Sequence, residues 1–220
     1  MSQERKGLYR FGGAALMVSG LLFLLRDLLD RVAGPPPSSG VAILAWIASG
    51  QLVLALANEV LFFAAMALVP AVIALYRSLV DSDRVAATTG CGIIAAVVPI
   101  LAVLDIVHGR LVYPVYGIRV STPAVAELVV AIFYGGLHAV GILMGVATFV
   151  LSLAMRRGAY GRSIAWLGFA TAVCDIIGAY PYAIGPLLTL VCQLFFAAWF
   201  VAVGAKLYAM RSPIASYSSS

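Results

Sequence analysis

Charged residues are scarce in this sequence. Only 10% of its 220 residues are Asp, Glu, Lys or Arg, against about 25% in ordinary soluble domains. With 63% hydrophobic residues and a mean hydropathy of +1.06, the chain has too little polar side chain to cover a water-solvated surface, and a soluble domain is excluded. Cysteine is rare too. Cys91, Cys174 and Cys192 all fall in apolar stretches without a C-x-x-C spacing. That excludes a disulfide framework or a zinc knuckle and leaves small buried core residues. Histidine occurs only at His108 and His138, with no H-E-x-x-H. A G-x-S-x-G elbow is missing, and Ser49, Ser121 and Ser163 lie in turns or at the ends of apolar runs. The alternation over ~10-residue segments that marks a membrane barrel is absent, because the apolar runs are continuous. The net charge of +5 does not point to nucleic acid, since the basic residues sit in the gaps between apolar runs rather than in one patch. There they orient a membrane protein.

What the sequence does have is runs long enough to cross a bilayer, which takes ~20 apolar residues. They predict an all-α membrane protein, a six-transmembrane-helix bundle with spans at about 11–33, 51–77, 85–109, 123–155, 162–182 and 186–209. Together these form one domain, 1–210, followed by a polar tail, 211–220. Arg5, Lys6 and Arg10 before an apolar run imitate a signal peptide. Arg26-Asp27 and Asp30-Arg31 are no small-residue cleavage site, however, so the run reads as a retained first span. Val41 to Tyr76 is too long for one untilted span, and splitting it at Asn58-Glu59 would give seven. Basic residues choose between the two. Six spans with both termini cytoplasmic put ten Lys and Arg inside and four outside (Arg26, Arg31, Arg110 and Arg119), whereas seven put five inside and nine outside. Residues 41–50, with Trp46, then read as an outer interfacial or re-entrant helix.

The inner charges also serve as a ruler. Counting outward from Arg10, Arg77, Arg84, Arg156, Arg162 and Lys206 reaches Asp27, Glu59, Asp105, His138, Asp175 and Gln193 after 13 to 21 residues. At 1.5 Å per residue that is ~20–32 Å, in the outer part of a core ~30 Å thick. Ionisable groups at such depth are costly and face a bundle interior or a cavity. On the fourth span, a helical stripe collects Glu127, Ala131, Tyr134, His138, Gly141, Gly145, Thr148 and Ser152. On the fifth, it collects Gly168, Thr171, Asp175, Gly178 and Tyr182. Small and polar residues at this spacing let helices pack closely. The odd spans each run from Asp to Pro, and spans two and six share Leu-Phe-Phe-Ala-Ala, a pattern expected of three related helical hairpins.

The candidate ligand-binding residues are therefore Glu59, Asp105, His108, Tyr134, His138, Asp175 and Gln193, with Arg110 at the rim to meet a head group. His138, Asp175 and Asp105 are also of the types that hold zinc, iron or manganese. The plain alternative is a hydrogen-bonded His–carboxylate clasp. Tyr113, Tyr116, Tyr180 and Tyr182 read as interfacial anchors or as the lip of a pocket. Phe11-Gly12-Gly13 to Leu25, Ala74-Leu75-Tyr76-Arg77-Ser78 and the acid late in the third span resemble a prokaryotic six-span integral membrane family of unknown function. The resemblance implies the six-span layout and an inner-membrane location, and no activity, cofactor or site residue. The expected function is binding of a lipid, quinone or other small amphiphile in an outer-facing intramembrane pocket. The rival readings are an accessory or assembly subunit, with membrane-protein partners or a second copy, and a metal-assisted intramembrane enzyme.

Overall fold

The structure, a computed structural model, describes residues 3–210; the polar tail and its Arg211 lie outside the described residues. Six helices follow one another: α1 (Gln3–Ala33), α2 (Gly40–Leu79), α3 (Arg84–Val112), α4 (Pro123–Arg157), α5 (Arg162–Gly178) and α6 (Pro181–Ala209). Among the described residues there is no strand, only an isolated bridge between Val115 and Ile118 in the α3–α4 loop. Helix starts are set by local chemistry. Ser39 and Asp83 cap α2 and α3 by accepting the Ala42 and Ala86 amides, and Pro123 and Pro181 open α4 and α6. Both devices suit the unsatisfied amides of a first turn.

Five helices, all but α5, are long and apolar enough to cross a membrane, the mark of a multi-pass membrane protein. Their outward surfaces agree. Leu21, Leu52, Phe63, Val103, Phe149 and Leu194 are all exposed, a lipid-compatible coat that a soluble protein would not carry. Each helix packs on its neighbours in sequence, and α6 closes on α1, so the six form a ring. α2 leans inward to touch α4 and α6 as well.

The ring is tight at one end. There Leu79, Ala87, Leu151, Ala154, Ala165 and Val203 are fully buried. Gly13 and Gly204 bring α1 and α6 into backbone contact: a Cβ on Gly13 would lie 2.6 Å from the Gly204 carbonyl oxygen. Ser78 and Tyr160 close the same end with a 2.6 Å hydrogen bond, and burial pushes the Tyr160 phenol above its ordinary range. The stripes on α4 and α5 do face protein in their lower halves, where Gly145, Thr148, Ser152, Gly168 and Thr171 are buried.

Two expectations about boundaries need correction. Residues 41–50 are no separate interfacial or re-entrant helix; they are the first quarter of α2, which runs unbroken for 40 residues, ~60 Å. No breaker separates Gly50 from Gln51, and Ile43 and Ile47 are buried in a satellite core with Leu54, Val112, Ala126 and Val130. That core keeps the extension helical. The fifth span ends at Gly178 rather than 182. Ala179 and Tyr180 form a turn, and Tyr182 belongs to the start of α6. α6 is itself broken at Gly185 (φ 76°, ψ 169°), so its continuous part begins at Pro186, where the sequence places the sixth span.

Candidate functional site

The loose end of the ring encloses a cavity of about 810 Å³. Its walls come from all six helices. Phe23 (α1), Leu61 (α2), Val97 and Leu101 (α3), Met144 (α4) and Phe196 (α6) make the apolar part. The polar part comes from Arg26, Asp27, Asp30 and Arg31 on α1, Tyr134 and His138 on α4, Asp175 on α5, and Thr189 and Gln193 on α6. A concave, mostly apolar space with a few convergent polar groups is the usual form of a small-molecule site. The cavity exists because α5, at 17 residues or ~25 Å, stops short. Above His138, α4 has lost its neighbour, and Ala131 and Glu127 stand exposed.

Four of the predicted residues, Tyr134, His138, Asp175 and Gln193, line this cavity. His138 Nδ1 donates to the Ala179 carbonyl at 2.7 Å, and the Tyr180 ring stands edge-on to the imidazole at 4.6 Å. A carbonyl can only accept, so the neutral ring keeps its Nε2 as an acceptor. Asp175 is 9% exposed, and Thr148 Oγ1 donates to it at 3.4 Å. Cys174 and Cys192 face each other across α5 and α6 on the same wall, both as free thiols.

The other four are elsewhere. His108 donates from Nδ1 to Asn58 Oδ1 at 2.6 Å, and its ring stacks on Phe133 at 4.1 Å. Asn58 Nδ2 donates to the Asp105 carbonyl at 3.1 Å. These bonds clasp α2 to α3 and contribute nothing to the cavity wall. Glu59 is exposed and accepts from the Tyr113 hydroxyl at 3.0 Å. Burial, that hydrogen bond and the neighbouring charges of Glu59 and Asp105 raise the Tyr113 phenol above its usual range. The Asp105 side chain is off the cavity and its Oδ1 is buried without a partner. Arg110 is exposed, away from the mouth. Glu127 accepts the Gly40 amide at 2.6 Å and so caps α2 across the α4 junction.

Of the tyrosines, Tyr182 reaches the lip, while Tyr113 ties α3 to Ala55 and Tyr116 is fully exposed. Among the described residues no group of three or more His, Cys, Asp or Glu is placed to hold a metal ion. His138 and Asp175 share a wall, but Asp105 is not with them.

Known protein families, curated proteins and solved structures offer no match to this chain.

The sequence-level candidates omit the polar end of α1. Arg31 Nε donates to Asp27 at 2.7 Å, and Arg26 pairs with Asp30. Arg31 also donates to the Pro186 carbonyl at 2.6 Å, tying α1 to the main part of α6. The available signal was the spacing: two opposite-charge pairs four residues apart on one helix, at the depth of the other polar groups.

Proposed function

We propose that this protein crosses the membrane six times, with α5 as the short span, and binds a lipid, quinone or other small amphiphile from the outer side. The observation that carries the reading is the cavity of about 810 Å³, mostly apolar with a few convergent polar groups, at the loose end of the ring. Its size lies within the ~300–1,000 Å³ of ligand pockets. Orientation follows from charge. The tight end carries Arg5, Lys6, Arg10, Arg77, Arg84, Arg156, Arg157, Arg162 and Lys206, while the loose end carries Arg26, Arg31, Arg110 and Arg119. The positive-inside rule puts the nine in the cytoplasm and the cavity mouth outside.

The test is native mass spectrometry of protein extracted from membranes in mild detergent. The expected result is a retained non-protein mass on the unmodified chain, lost on Gly135→Trp. Gly135 lines the cavity, and a Cβ there meets nothing within 4 Å, so the indole fills space without breaking packing. A chain that neither retains nor takes up any amphiphile would sink the proposal.

One observation favours the accessory-subunit reading. Glu59 lies midway along α2 and is exposed on the outside of the ring, beside Asp105, where a carboxylate would meet lipid unless a partner covers it. Co-purification from native membranes, lost on Glu59→Leu, is its expected signature.

A further inference from the structure

We propose that the amphiphile taken by this cavity has a cationic head, an amine or quaternary ammonium, and that Asp175 is its counter-ion. This rests on the amphiphile reading above and specifies the head group. Five formally charged side chains line the cavity: Arg26, Asp27, Asp30, Arg31 and Asp175. Four of them cancel as the pairs Arg26–Asp30 and Asp27–Arg31. Asp175 is left over. It is about nine-tenths buried, its only side-chain hydrogen bond among the described residues is the long one from Thr148, and no cation pairs with it there. A buried acid without a partner is costly and calls for one.

A second polar group of the lining, His138, has the same sense. His138 spends its Nδ1 proton on the Ala179 carbonyl, leaving Nε2 to accept. Two acceptors with no spare cation beside them suit an ammonium and disfavour a carboxylate, sulfate or phosphate. Tyr134, Tyr182 and Phe196 put aromatic rings on the same lining, and ring faces attract cations most strongly where water is excluded. Leu61, Leu101 and Met144 give the tail apolar wall to lie against.

The experiment uses the full chain in lipid nanodiscs, with three probes of equal tail: decylammonium, decanol and decanoate. Binding is read by equilibrium dialysis against empty nanodiscs. The expected result is saturable binding of the ammonium at least about tenfold tighter than decanol, the scale of one desolvated cation–acceptor contact, and no saturable binding of decanoate. Asp175→Asn should erase the preference for the ammonium while keeping decanol binding. Glu59→Gln, an acid off the cavity, should change nothing. Equal affinity for ammonium and decanol, or a preference that survives Asp175→Asn, overturns the cationic head and leaves the amphiphile reading standing. No saturable binding of any probe overturns both. The comparison of head groups on the unmodified chain decides the matter even if Asp175→Asn does not fold.

Discussion

Asn58 spends both halves of its amide, one on His108 and one on the Asp105 carbonyl. Removing it leaves the buried His108 Nδ1 proton without an acceptor. Asn58→Ala should therefore destabilise by about 1–3 kcal/mol, the usual cost of orphaning a buried polar group, read as a lower melting temperature in detergent. Asn58→Leu combined with His108→Phe removes both partners and should recover most of the loss. If the double variant melts lower than Asn58→Ala alone, the clasp is not the reason the pair is there. Glycines separate in the same way. Gly204→Val drives a side chain against the Gly13 carbonyl and the Met17 backbone and should cost about 1–3 kcal/mol or more through overpacking. A Cβ on Gly7 meets nothing within 4 Å, so Gly7→Ala should be neutral or stabilising, by up to about 1 kcal/mol. Equal melting shifts for the two would contradict the tight crossing of α1 and α6.

Helix length is the feature of the elements that shapes the site. α5 is shorter than a bilayer core and α2 about twice as long, so one opens the mouth and the other projects beyond it. The satellite core around Ile43 and Ile47 and the cap from Glu127 to Gly40 hold the projecting part of α2 on the start of α4. A membrane-impermeant maleimide added outside should label Val41→Cys and spare Val69→Cys; both residues are exposed on α2, but the proposed arrangement puts only the first beyond the core. Labelling of both, or of neither, would contradict the projection. The break in α6 is equally local in cause. Gly185 sits at φ 76°, ψ 169°, a region essentially restricted to glycine. Gly185→Ala should cost about 1–3 kcal/mol and loosen the contact between Arg31 and Pro186 that closes one side of the mouth.

For the molecule as a whole, the ring of six helices and the uneven distribution of basic residues imply one sidedness. Reporters inserted at residue 82, between α2 and α3, and at residue 117, between α3 and α4, should report the cytoplasm and the outside respectively. Identical readings from the two would overturn the orientation and the outer position of the cavity. Part of the cavity lining was legible beforehand. Counting from the inner charges brought Asp27, His138, Asp175 and Gln193 to one level, and they line one cavity. Facing was legible only where a stripe was long, as on α4 and α5. On α2 and α3 the same count reached Glu59 and Asp105, yet those helices turn Leu61, Val97 and Leu101 to the cavity instead. Those helices are apolar nearly all round, so their periodicity does not single out an inner face.

Hydrophobicity, helix class and the approximate helix positions are properties of single segments, set by composition, capping and a fixed rise per residue, and the sequence by itself determined them. Which polar groups meet is a property of pairs of segments. Tertiary packing decided that His108 would be spent on Asn58 and that Glu127 would cap α2. It also decided that Asp175 would be left without a partner, because only the rotation of each helix about its own axis brings a side chain to a neighbour or to an opening.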